Sequence, residues 1–176
     1  LHAFEPAPQT FPELQKRTSR VPDLQLNQCA VGARSGVVDF QENEHSFMNS
    51  ILDPGSDFWG VVTARPKVDM LTLDSYCADR GVSNIDILKT DTQGYDLEVI
   101  KGAAQLISER RIHMIYMEII FSEQYKNLPR LDETYAHIAD QGFKLVSFYQ
   151  FYYQNERASW TDALFIHPEY KVPQSA

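Results

Sequence analysis

Read from residue 1, the chain alternates between short apolar runs and stretches with helical spacing. "LHAF" at 1–4 is apolar and is closed by Glu5-Pro6. Pro8 or Pro12 suits the first turn of a helix through "ELQKRTS". In "VPDLQLNQCAV" the alternation of Leu24 and Leu26 predicts a strand, and "GVVDFQE" predicts another extended piece. The polar stretch 42–57, with Pro54-Gly55, predicts a long loop of the kind that carries function or moves. "KVDMLTLDSYCADRG" predicts a strand through Leu73, then a short helix with Asp74 as N-cap and Gly81 as terminator. "IDILKTD" is apolar at most positions and predicts a strand covered on both faces. From Asp96 to about Ser108, Leu97, Ile100, Ala104 and Ile107 recur at helical spacing, a stripe that packs against a sheet. Gly102 inside that helix costs roughly 1 kcal/mol relative to alanine, which points to close helix–sheet packing there. "IHMIYMEI", "LDETYAHIADQG", "FKLVSFYQFYY" and "WTDALFIH" then read as strand, helix, strand and strand.

This order predicts one α/β domain over residues 1–176, with a mostly parallel sheet, helices on both faces and an antiparallel C-terminal hairpin. A composition of 43% apolar and 23% charged residues suits a globular chain with a sizeable core. The formal charge of −8 and the lack of any Lys/Arg cluster longer than "ERR" at 109–111 argue against a nucleic-acid partner. Two cysteines, Cys29 and Cys77, do not make a disulfide framework and suit a reducing cytoplasm. No apolar run approaches the ~20 residues of a membrane span.

In open α/β sheets ligands bind beyond the carboxyl ends of the strands, which directs attention to Glu5, Asp91 and Glu118. Glu5 reads either as an acid that accepts hydrogen bonds from ribose hydroxyls or as a helix-entry residue before Pro6. Asp91 reads as an acid that orients or deprotonates a bound group, or as the partner of Lys89 on the same strand face. Gln93 and Gly94 set further polar groups around that crevice, just before a helix. Glu118 reads as a base, a substrate-orienting acid or a counter-ion for Lys89. The five histidines show no metal-ligand spacing with one another or with the cysteines, and no metal site is expected. There is no nucleophile elbow, no Walker-type loop and no Gly-x-Gly-x-x-Gly. The aromatic run "FYQFYY" at 148–153 reads as edge-strand packing or as a sugar-stacking surface; such an edge also offers a pairing site for a second copy.

"AFEP" at 3–6, "NQCAVG" at 27–32, "TLDSY" at 72–76, "LKTDTQGYDLEVIKGA" at 88–103, "YMEI" at 116–119 and "DALFI" at 162–166 come in the order seen in FkbM-type methyltransferases. The sequence resembles that family from residue 1 to about 167. The resemblance implies an S-adenosylmethionine-dependent O-methyltransferase of the seven-stranded Rossmann-like class. It further implies that Glu5 holds the cofactor ribose and that Cys29 and the backbone of Ala30 lie at adenine. Asp91, with Gln93 and Gly94 in the following turn, borders the methyl donor and the acceptor pocket. Catalytic roles fall to Asp91 or Glu118 as base, with Lys89 lowering the acceptor's pKa or tuning Asp91; His45 is a weaker base candidate.

The family's first strand and glycine-rich loop are expected ahead of "AFEP". Without that strand, the strands ending at Glu5 and Asp91 face each other across about two inter-strand spacings, ~10 Å, with unpaired backbone groups. The natural chain is therefore expected to extend beyond Leu1. The activity implied is methyl transfer to a hydroxyl of a sugar, glycan or polyketide-like metabolite. The alternatives are a non-catalytic nucleotide-binding module that serves assembly with a biosynthetic partner, and a nicotinamide-dependent oxidoreductase, which the pattern around Asp91 does not suit.

Overall fold

The computed structural model describes residues 1–170. The chain opens with β1 (His2–Phe4), α1 (Phe11–Thr18), β2 (Gln25–Asn27) and β3 (Ala30–Val31). A β excursion follows, made of β4 (Gly36–Asp39), β5 (Glu42–Asn43), β6 (Val62–Ala64) and β7 (Lys67–Leu71). Next come α2 (Leu73–Arg80), β8 (Ile85–Thr90), α3 (Asp96–Lys101), α4 (Ala104–Ser108), β9 (Ile112–Ile120) and α5 (Leu131–Asp140). The last strands are β10 (Lys144–Phe148), β11 (Tyr152–Gln154) and β12 (Arg157–Ile166). No helix among the described residues is long and apolar enough to cross a membrane.

The fold is mixed α/β, but its strands do not form the single, mostly parallel sheet that the order of elements predicts. The principal sheet runs β10-β12-β9-β8, with β11 also on β12. Within it only β8 and β9 are parallel; β12 pairs antiparallel with β9, β10 and β11. The antiparallel C-terminal portion is thus larger than a hairpin. The run 21–31, expected as one strand, breaks in two: β2 pairs with β1 in parallel, while β3 joins β7 and β4 in another sheet.

β8 was expected to be covered on both faces, and it is not. Leu88 and Thr90 are buried, but Ile87 is 59% exposed and Lys89 is exposed as well. The reason is positional. β8 is the last strand of its sheet, and the described residues provide no strand on its second edge. That edge and β1, whose own strand partner is β2, line a common cavity.

The main core lies where β8, β9 and β12 meet the helices. Ile100, Leu106, Ile112, Ile115, Met117, Ile138, Phe143 and Phe165 are each at most 1% exposed. Full burial of such a side chain contributes roughly 1.5–3 kcal/mol. On β12, Ser159, Thr161, Ala163 and Phe165 are buried while Trp160, Asp162 and Leu164 are only partly so, the two-residue period of a sheet with one dry face.

The expected helix from Asp96 to Ser108 is two helices, broken at Gly102 and Ala103. At the break the Gly102 carbonyl accepts the Asp74 amide at 3.0 Å, and Gly32 packs so close that a Cβ added at Gly102 would sit 2.1 Å from its backbone oxygen. The expected cap also moves. Thr72, not Asp74, caps α2, its hydroxyl accepting the Ser75 amide at 3.1 Å. Asp74 instead accepts the amides of Gln105 and Leu106 at 2.8 and 3.0 Å, satisfying the start of α4. Gly81 ends α2 in the left-handed conformation, as its position predicts.

Because the contact at Gly102 is with backbone, Gly102→Ala is expected to cost about 1–3 kcal/mol despite alanine's better helix propensity. Thermal unfolding should show a Tm lowered by about 2–4 °C for each kcal/mol; an unchanged or raised Tm would mean that α3 and β3 can separate freely.

Candidate active site

A cavity of about 1270 Å³ opens beyond the carboxyl end of β8 and runs along β1. Glu5, Cys29, Ala30, Lys89, Asp91, Gln93 and Glu118, seven of the residues singled out in the sequence, line it. Gly94 does not. With φ of +91° it turns toward Leu128 and Leu52 and borders a second cavity of about 600 Å³. A Cβ there would lie 2.3 Å from Leu128 Cδ2, so the glycine answers to packing and backbone handedness.

The local chain explains the convergence. β8 ends at Thr90, and the backbone turns through Gln93 (φ +52°) and Gly94 into α3. That left-handed pair brings the Gln93 side chain back over the strand ends. Its amide nitrogen donates to Glu118 Oε2 at 2.9 Å and to Asp91 Oδ1 at 3.3 Å. Its amide oxygen lies 3.0 Å from the Tyr125 hydroxyl, which is also 3.1 Å from the Met48 carbonyl. Its backbone oxygen accepts the buried Ser50 hydroxyl at 2.8 Å. Loops 42–57 and 121–130 are therefore tied to the strand ends. They are also tied to each other, through Gly55 N to Gln124 O, Asp57 N to Glu123 O and Lys126 N to Asp53 O.

Lys89 and Asp91 pair at 3.0 Å, but both are half exposed, so the pair is not the buried one the sequence suggests. Lys89 Nζ also lies 6.0 Å from the centre of the Tyr116 ring. Glu118 is strongly altered by its surroundings. Burial pushes its carboxyl up to about 8, and the charges of Asp91, Asp96 and Asp162 add to the rise against the opposing Gln93 bond. A carboxylate titrating there is matched to proton transfer near neutral pH. Glu5, at the end of β1, accepts the Ala7 amide at 2.8 Å, and burial raises its pKa as well. Burial likewise raises the Cys29 thiol, which keeps it neutral. His45 is away from these groups, its ring stacked on Phe47.

Three acidic or phenolic neighbours went unread in the sequence. Asp162 sits directly across β9 from Glu118 in the antiparallel register and accepts the Tyr116 hydroxyl at 2.8 Å. It lies inside "DALFI", but only the register of β12 places it. Asp96, 3% exposed, accepts the Thr92 amide at 3.4 Å, and its Oδ1 has no hydrogen-bond partner, nor do the hydroxyls of Thr90 and Thr92. Burial pushes Asp96 up to about 6. Among the described residues no group of three His, Cys, Asp or Glu is placed to hold a metal ion.

Residues 1–145 match the family model of the methyltransferase FkbM domain. The 2-O-methyltransferase NoeI of Sinorhizobium fredii is 26% identical over 137 residues, which cover 72% of this chain and 56% of that protein. The chain thus spans about half the length of that curated relative. The crystal structure of methyltransferase FkbM from Methylobacillus flagellatus superposes with a TM-score of 0.57 at 15% identity, over 94% of this chain and 36% of that one. At that identity the superposition speaks to the fold.

The buried Asp96 generates a stability prediction. Its folded pKa, about 6, lies above the ordinary 3.8, so the folded state holds the proton more tightly than the unfolded chain. Its contribution is favourable below about 4, falls as pH rises through that interval, and is gone above about 6. Asp96→Asn, which keeps an acceptor for Thr92, is expected to stabilise the protein at pH 8 by on the order of 1–2 kcal/mol and to change little at pH 4.5. Chemical denaturation at both pH values tests this; equal effects at the two would show that Asp96 does not titrate between them.

Proposed function

This chain belongs to the FkbM methyltransferase family, and from that premise we propose that it is an S-adenosylmethionine-dependent O-methyltransferase acting on a hydroxyl of a sugar, glycan or polyketide-like metabolite. The observation that carries the reading is the Gln93 amide joining Asp91 and Glu118 on the floor of a cavity whose other wall holds Glu5. The name of the relative NoeI, a 2-O-methyltransferase, supports transfer to oxygen. The parallel pairs β1–β2 and β8–β9 are read as parts of a Rossmann-like sheet. The free edges along the cavity offer backbone partners for a strand and glycine loop supplied from outside residues 1–170.

The residues present fit the cofactor. Glu5 would accept from ribose hydroxyls, Ala30 and Cys29 would flank the base, and the acids of the floor would face the sulfonium charge. When bound, S-adenosylmethionine supplies a methyl carbon that a nucleophilic oxygen can displace from sulfur. Everything else falls to this chain. Gln93 fixes Glu118 and Asp91 relative to each other, and alignment contributes much of the acceleration in an in-line displacement. Asp91, held by Lys89 and Gln93, orients the acceptor. Glu118 takes the hydroxyl proton as the oxygen forms its new bond, and burial keeps it basic enough to do so.

Two outcomes are expected with the full-length protein. In calorimetry, S-adenosylhomocysteine binds, and Glu5→Ala weakens it by about tenfold or more, the loss of a charge-assisted hydrogen-bond pair. A full-length chain that does not bind it would favour a non-catalytic module. In methyl-transfer assays the base must be ionised, so kcat/KM rises with pH through about 8 and levels off above. Glu118→Gln should lower kcat by about 10²–10⁴ and abolish that limb, while leaving S-adenosylhomocysteine affinity intact. A retained limb would move the base to another residue.

A further inference from the structure

His45, Phe47 and Trp59 form an aromatic cluster that neither the core nor the proton-transfer machinery uses. Their ring centres lie 5.4–6.0 Å apart, with His45 and Phe47 stacked at 12°. Phe47 is 63% exposed and Trp59 49%, yet both line the same cavity as Asp91 and Glu118. Large apolar rings exposed together at the rim of a cavity are characteristic of a binding surface.

The cluster is held firmly. Asn43 Oδ1 accepts the His45 amide at 2.9 Å, and Asn49 Oδ1 accepts the Asn43 amide at 2.7 Å. Met48, next to Phe47, is 2% exposed, and its carbonyl lies at the Tyr125 hydroxyl that also meets Gln93. A short polar chain thus connects the rings to Glu118. Preorganised aromatic surface binds at little entropic cost.

We propose that Phe47 and Trp59, backed by His45, are the acceptor platform of this cavity and take the C–H face of a neutral pyranose ring; the inference rests on the methyl-transfer reading above. A pyranose has one apolar C–H face and a rim of hydroxyl donors. The cavity has the complement: flat rings at its mouth, and on its floor Asp91, Glu118 and Asp162, which accept from several hydroxyls at once. A flat phenol would bring one or two donors and leave the remaining acceptors unmet. The charge excludes anionic sugars. Glu5, Asp86, Asp91 and Asp162 line the cavity beside the largely protonated Glu118, against one lysine, Lys89, which Asp91 already engages. A uronate or sugar phosphate would meet like charge.

Saturation-transfer NMR on the full-length protein tests this. The probes are the methyl glycosides of glucose, galactose and mannose, methyl glucuronide, and 4-nitrophenol as a planar phenol. Expected are transfer to ring C–H protons of at least one neutral glycoside, and a signal for the glucuronide weaker by about tenfold. Trp59→Ala should weaken the glycoside by about tenfold, as loss of a stacked ring implies, with Phe47→Ala lowering it less and S-adenosylhomocysteine affinity unchanged in both. In turnover with that glycoside, KM should rise while kcat holds. Absence of transfer from every neutral glycoside, transfer undiminished in both variants, or preference for the phenol would overturn the proposal. A protein that takes the glycoside through Trp59 but binds no S-adenosylhomocysteine would uphold the platform and overturn the cofactor reading instead.

Discussion

The site depends on one residue held in an uncommon backbone conformation. Gln93 has φ of +52°, a region that non-glycine residues enter only when the surroundings repay the strain. The repayment is visible in its contacts: two carboxylates, a phenol and a serine hydroxyl converge on its amide and carbonyl groups. An uncharged amide suits the position. A lysine there would pull Glu118 down into the ordinary carboxylate range and cost it its basicity; an apolar residue would leave two acids side by side with nothing between them. Lys89 is already committed to the outer oxygen of Asp91, so the inner contact with Glu118 carries little positive charge.

The principal sheet divides this chemistry by face. Ile115, Met117 and Ile119 of β9 go to the core, and Tyr116 and Glu118 to the other side. On β12, Asp162 and Trp160 fall on that same side, so two carboxylates stand opposite one another across an antiparallel pair. Like charges so placed are destabilising. The fold accommodates the pair by letting Glu118 keep its proton at neutral pH and by giving Asp162 the Tyr116 hydroxyl. Burial accounts for most of the basicity of Glu118, and the charge of Asp162 adds to it.

Much of this was legible in the chain. The run ending in "KTDTQG" reads as a strand that terminates in a site, because charges and a turn follow apolar residues there. Gly81 speaks through a local rule that tertiary structure did not override, whereas the stripe of Leu97, Ile100, Ala104 and Ile107 is divided between two helices and leaves Ala104 exposed. What was hidden is non-local. Ile87 looks buried because apolar alternation cannot tell a central strand from one with an open edge. Asp162 gains meaning only from its register against Glu118, and no spacing announces an antiparallel partner 44 residues away. Thr72 and Asp74 both suit a helix start. Only the three-dimensional approach of α4 draws Asp74 off, and only the fold brings the backbone of Gly32 against Gly102.

Asp74 carries a consequence for the order in which the protein assembles. A five-residue helix such as α4 is too short to nucleate alone. Its first amides are satisfied from 31 and 32 residues upstream, so it acquires a proper start only when the chain has closed on itself. Everything between, β8 and the Gln93 turn included, lies inside that closed loop. The strand that ends at the site and the helix behind it therefore form a single cooperative unit, and a fluctuation that frees α4 from Asp74 loosens the floor on which Asp91 stands.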